Sequence, residues 1–123
     1  MEKELQGLPT HTGKGSGLVQ VVILTQGEAH AYKQSMAGKV LATNMTNPGF
    51  ARIMKESCAV ITERGGRTCH AAVFCGEQGK PCVVGLSGLL SSISEWTGPR
   101  PIMAEVDGNS GKVTLVPFKP SKT

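Results

Sequence analysis

Aromatic residues are scarce in this chain, with three Phe, one Trp and one Tyr in 123 residues. A core without them must rest on Val, Ile, Leu, Ala and Met, and the aromatic-studded strands of RNA-binding folds are excluded. No stretch reaches the ~18 consecutive apolar residues of a membrane span. The opening MEKELQG lacks the basic-then-apolar form of a signal peptide, so a cytoplasmic location without membrane contact is expected. Any C-x-x-C pair is also missing. Cys58, Cys69, Cys75 and Cys82 are separated by ten, five and six residues, which fits reduced thiols and gives no metal site or disulfide framework. There is no G-x-x-x-x-G-K-[ST] loop and no acidic cluster suited to Mg2+. The net charge of +4 owes much to Lys3, Lys14, Lys119 and Lys122 near the ends, so no nucleic-acid partner is expected.

What is present is a composition of 39% hydrophobic and 18% charged residues with 16 glycines and 7 prolines, that of one globular domain with many tight connections. Residues 1–123 are read as a single unit with a loop-like lead-in over 1–16 and a flexible tail over 117–123. GLVQVVILT (17–25) and GKVLATN (38–44) have the β-branched or apolar runs of strands, joined by a polar surface connection with room for a turn or two of helix. TNPGFARIMKES offers Asn47 as a cap, Pro48 at a first helical position and Ile53 with Met54 as an apolar face, which predicts a helix over 48–57. CAVIT (58–62) and CVVGL (82–86) read as short buried strands, with a helix over 69–78 between them that Gly79 and Pro81 stop. Apolar runs alternating with helical segments point to an α/β fold, a mostly parallel sheet covered by helices. IMAEVDGNSGKVTLV (102–116) predicts a C-terminal β-hairpin turning at DGNSG. SGLLSSISEWTGPRP (87–101) carries no clear pattern.

The chemistry gathers in GGRTCHAAVF (65–74). A helix N-terminus presents unpaired N–H groups and a positive dipole end, which favour an anion such as phosphate. Gly65 and Gly66 allow a sharp bend and close approach. Thr68 is placed to cap the helix and to donate to a phosphate oxygen, and Arg67 adds a fork of N–H donors. His70 then falls in the first turn, where the field favours a neutral, nucleophilic imidazole and a negatively charged product. A hydrogen bond to one ring nitrogen is needed to make the other the reactive one. Taken singly, a histidine at a helix start is more often a surface or capping residue, glycine pairs are common turns, and Thr68 is a plain cap. Cys69 is the rival nucleophile, but neighbours on a helix point about 100° apart and so do not form a dyad. His11 and His30 lie in polar segments without framing residues and are read as exposed.

TERGGRTCHAAVFCGEQGKPCVVG (62–85) resembles the phosphohistidine signature of the mobile, swivelling domain of enzymes that use phosphoenolpyruvate, of the phosphoenolpyruvate synthase and pyruvate phosphate dikinase type. The glycines Gly7, Gly13 and Gly17, the segment GKVLATNMTNPGF with Thr46 and Pro48, and the closing VDGNSGKV agree with it, over about residues 7–116. The resemblance implies the swivelling β/β/α domain and a phosphorylated His70 that attacks through Nε2. Gly65, Gly66, Arg67, Thr68 and Cys69 would form the phosphate-binding loop, with Cys69 packed beside the site. It further implies a carrier shuttling a phosphoryl group between a nucleotide site and a pyruvate or phosphoenolpyruvate site. ATP and Mg2+ are expected in those partner domains, on the same or a separate chain, and no cofactor is expected on this one. Two alternatives stand beside this: a docking or regulatory module without transfer, and the carrier of a related dikinase with another acceptor. The run FCGEQGK departs from the family pattern by placing Cys75 and Gly76 where a small residue and an arginine are usual, and Gly76 should weaken the helix by up to ~1 kcal/mol relative to alanine.

Overall fold

The computed structural model describes residues 2–22, 35–46, 48–66, 69–96 and 101–117. Eight strands form one sheet: β1 (Lys3–Gln6), β2 (Leu8–His11), β3 (Lys14–Val21), β4 (Lys39–Thr43), β5 (Ala59–Thr62), β6 (Cys82–Val84), β7 (Ile102–Asp107) and β8 (Lys112–Pro117). Three helices accompany them among the described residues: α1 (Ala51–Glu56), entered through a 3-10 turn at Pro48–Phe50, α2 (His70–Gln78) and α3 (Leu89–Ser94). The expected helix over 48–57, the helix over 69–78 and the C-terminal hairpin are thus present, whereas Asn47 lies outside the described residues. So do His30 and most of the expected surface connection after β3.

The strand order is β1-β8-β7-β3-β4-β5-β6-β2. Only the inner block, β3 to β6, is parallel. Antiparallel pairs join β1 to β8, β8 to β7, β7 to β3 and β2 to β6. The expectation of a mostly parallel sheet is therefore corrected, and the reason lies in the N-terminal residues. The segment 1–16, expected as loop, supplies β1, β2 and the start of β3. Its polar, glycine-spaced sequence has no strand signature of its own and becomes strand by pairing with partners about a hundred or more than seventy residues away, as in Lys3 opposite Leu115 and Leu8 opposite Val84. Two further corrections follow. Pro117, expected in the flexible tail, ends β8, while 118–123 lie outside the described residues, and the patternless stretch 87–101 contains α3.

β1 and β2 stand at opposite ends of the strand order yet are separated only by Gly7, so the sheet curls until its edges meet there. The Gly7 N–H donates to the Gly111 carbonyl at 2.8 Å. A Cβ on Gly7 would lie 2.6 Å from the Val84 carbonyl oxygen and 2.8 Å from Val83 Cγ1, so only glycine fits.

Alternation along the inner strands divides the core in two. Leu41, Val60, Cys82 and Val84 face α1 and α2, packing with Phe50, Ile53, Met54, Ala71 and Cys75. Val40, Ala42, Ala59, Ile61 and Val83 face the other way, towards Leu86, Leu89 and the inner side of β7 and β8. Strands buried on both faces explain the continuous apolar runs AVIT and CVV.

Candidate active site

Two loops at the C-terminal ends of β4 and β5 are stitched together. The Glu63 N–H donates to the Thr43 carbonyl at 3.0 Å and the Arg64 N–H to the Asn44 carbonyl at 2.9 Å. Asn44 Oδ1 accepts the Met45 N–H at 2.9 Å, and Thr62 Oγ1 donates to the Arg64 carbonyl at 2.6 Å. This lattice carries Thr46, at the end of one loop, to the start of α2 beyond the other.

Gly65 has φ +123°, in the region glycine favours, and a Cβ there would come within 2.9 Å of Cys69 Sγ. The Cys69 N–H closes on the Gly66 carbonyl at 3.1 Å. Cys69, extended at φ −71° and ψ 166°, occupies the helix N-cap without a side-chain cap bond, so the cap position expected for Thr68 falls one residue later. Arg67 and Thr68 lie outside the described residues. Cys69 is half-buried and packs against the core beneath α2, beside Gly65. Since the Cys69 carbonyl accepts the Val73 N–H at 3.1 Å, the N–H groups of His70, Ala71 and Ala72 precede the first intrahelical donor and form the positive end of the helix.

His70 is the first residue of α2. Its Nδ1 lies 2.8 Å from Thr46 Oγ1, and among the described residues Nε2 has no hydrogen-bond partner. The ring is tilted by 32° to that of Phe74, centroids 6.0 Å apart, one turn further along the helix. Partial burial lowers the His70 pKa from its ordinary value, which favours the neutral ring. Chemically the arrangement offers a neutral imidazole fixed through Nδ1, with Nε2 as the nitrogen left to react, beside a helix end suited to an anion. The sequence singles out the stretch that contains Thr46 but not the hydroxyl's role, because the contact spans 24 residues and two loops.

The other residues singled out are placed as follows. Gly65, Gly66, Cys69 and His70 come together at the start of α2. His11 sits in β2. Cys75 and Cys82 are buried, and Cys58 is half-buried. Burial raises the Cys58 pKa, and the Cys82 thiol beside it together with burial raises that of Cys75, so both stay protonated. No group of three His, Cys, Asp or Glu that could hold a metal occurs among the described residues. No helix among them is long and apolar enough to cross a membrane.

Residues 36–111 match the family described as PEP-utilising enzyme, mobile domain. The chain is 38% identical over 109 residues to phosphoenolpyruvate synthase of Helicobacter pylori, covering 89% of this chain and 13% of that protein. It is 40% identical over 109 residues to the phosphoenolpyruvate synthase of Pyrococcus furiosus, again 89% of this chain and 12% of the relative. It therefore spans about an eighth of the length of the curated relatives it matches. Among solved structures, an NMR structure of Enzyme I superposes with a TM-score of 0.52 at 26% identity, covering 74% of this chain and 34% of that one. Aconitase X of Thermococcus kodakaraensis shares the fold, with a TM-score of 0.65 at 20% identity over 93% of this chain and 98% of that one. A matched segment that runs from Met36 through the His70 helix to the hairpin turn, together with likeness to phosphoenolpyruvate synthases over 89% of the chain, shows that the chain belongs to the mobile-domain family of PEP-utilising enzymes.

Proposed function

We propose that this chain is a phosphohistidine carrier, accepting a phosphoryl group on His70 Nε2 and passing it between a nucleotide site and a pyruvate or phosphoenolpyruvate site. The observation that carries the reading is the 2.8 Å contact between Thr46 Oγ1 and His70 Nδ1. With the Nδ1 proton donated to the Thr46 hydroxyl, the lone pair of the neutral ring resides on Nε2. That pair attacks phosphorus, a P–N bond forms, and the P–O bond to the donor breaks, its electrons leaving with the donor oxygen. The ring keeps its Nδ1 proton against Thr46 and takes the positive charge, while the negative charge of the phosphoryl oxygens is met by the helix N-terminus and by Gly65, Gly66, Arg67, Thr68 and Cys69 as the phosphate-binding loop. ATP and Mg2+ belong in this reading to partner domains, consistent with relatives about eight times as long.

The test is labelling of the chain by radiolabelled donor in the presence of partner domains. Acid-labile, alkali-stable label is expected on the native chain and none on His70→Ala. Label that survives the substitution would overturn the assignment.

A further inference from the structure

We propose that Phe74 is a positioning residue for phosphoryl transfer, its ring flanking the His70 imidazole and setting the plane in which Nε2 meets the donor. This rests on the carrier reading above. Thr46 holds the imidazole at one atom, with Oγ1 2.8 Å from Nδ1. One hydrogen bond fixes a point and leaves the plane of the ring free to pivot about it, and its restraint amounts to a preference of roughly tenfold at most. A second contact is needed to fix the plane. Phe74, one turn after His70 on α2, supplies a flat neighbour, with the ring centroids 6.0 Å apart and the planes 32° from each other. That separation falls in the range of about 4.5–7 Å over which aromatic pairs favour particular orientations, so pivoting the imidazole has a cost.

The place of Phe74 in the fold favours this role over that of a plain core residue. α2 rests on the sheet through small side chains, Ala71, Ala72 and Cys75, all buried. Phe50, in the cluster beneath, is buried completely. Phe74 packs against that same cluster yet is only half-buried, so its ring is anchored in the core on one side and reaches the imidazole on the other. Such support matters because a nucleophile must be held near its productive angle, and a displacement of about 1 Å can lower a rate by about a hundredfold.

The experiment compares the native full chain with F74Y, which keeps a flat ring, and F74L, which keeps apolar bulk without one. On the unphosphorylated chain, 13C relaxation of the His70 ring reports its freedom and the ring 15N resonances report its tautomer. Labelling by phosphoramidate, a small donor that approaches from any side, is set against labelling by the phosphoenolpyruvate synthase of Pyrococcus furiosus, deleted of its own mobile domain and supplied with MgATP, which presents its phosphate along one line. F74L should melt within a few degrees of the native chain and keep its tautomer, since Thr46 is untouched, while the ring becomes more mobile. Its phosphoramidate rate should hold within about twofold and its kcat/KM with the protein donor fall about tenfold. F74Y should match the native chain on every measure. Ring relaxation in F74L equal to that of the native chain would overturn the proposal, as would an unchanged rate with the protein donor or equal losses in F74L and F74Y. A native chain that neither donor labels strikes the carrier reading, whereas failure of Phe74 as a wall shows in the relaxation data whatever the label does.

Discussion

An imidazole is a nucleophile only while uncharged, and the surroundings of His70 resist the charge. Burial lowers its pKa from the ordinary value of 6.5, so at any acidic pH a larger fraction of the ring is neutral than in a free peptide. The phosphorylation rate should hold through neutrality and fall with an acid midpoint below about pH 6.5. A pH–rate profile with its midpoint above that value would contradict the burial argument. Thr46 touches the ring through its hydroxyl, and in the proposed reading it acts through that contact. Thr46→Val keeps the shape and removes the hydroxyl, and should slow phosphorylation roughly 10- to 100-fold while shifting the ring 15N resonances towards a mixture of tautomers. Thr46→Ser should restore most of both. The histidine was legible in the sequence because glycines, Thr68 and a helix start frame it within a few residues. Thr46 was not, because nothing local to it marks a partner 24 residues away.

Among the elements, α2 carries the site and also a weak point. Gly76 is exposed, and a Cβ there would meet nothing within 4 Å. Gly76→Ala should therefore stabilise the chain by ~0.5–1 kcal/mol, raising the melting temperature by a few degrees without touching phosphorylation. Since Gly76 faces solvent and Cys75 is buried in the core, the departure from the family pattern at these two positions leaves the His70 end of the helix intact. The elements that could be read beforehand, such as AVIT, CVV and the helices after Pro48 and Cys69, are those whose apolar residues fall in one short run. β1 and β2 could not. In KELQ and LPTH polar residues and proline mix with single leucines, and their strand character exists only in company with β8 and β6. α3 escaped for a related reason: LLSSIS has three apolar residues, of which only Leu89 is buried.

For the whole molecule, the N-terminal segment decides the architecture, since it turns an expected mostly parallel sheet into a mixed one whose two end strands are joined through Gly7. Gly7→Ala forces a methyl group into the Val84 carbonyl and Val83, and should cost ~2 kcal/mol or more, a loss of several degrees in thermal melting. A melting temperature equal to that of the native chain would show that the seam yields easily.

The pairing of Lys3 with Leu115 has a mechanical meaning as well. Polypeptide attached before β1 and after β8 would enter and leave side by side, like two cords through one grommet. A load pulling on both cords would fall first across the β1–β8 ladder, away from the histidine and its threonine, whose spacing it would leave as it is.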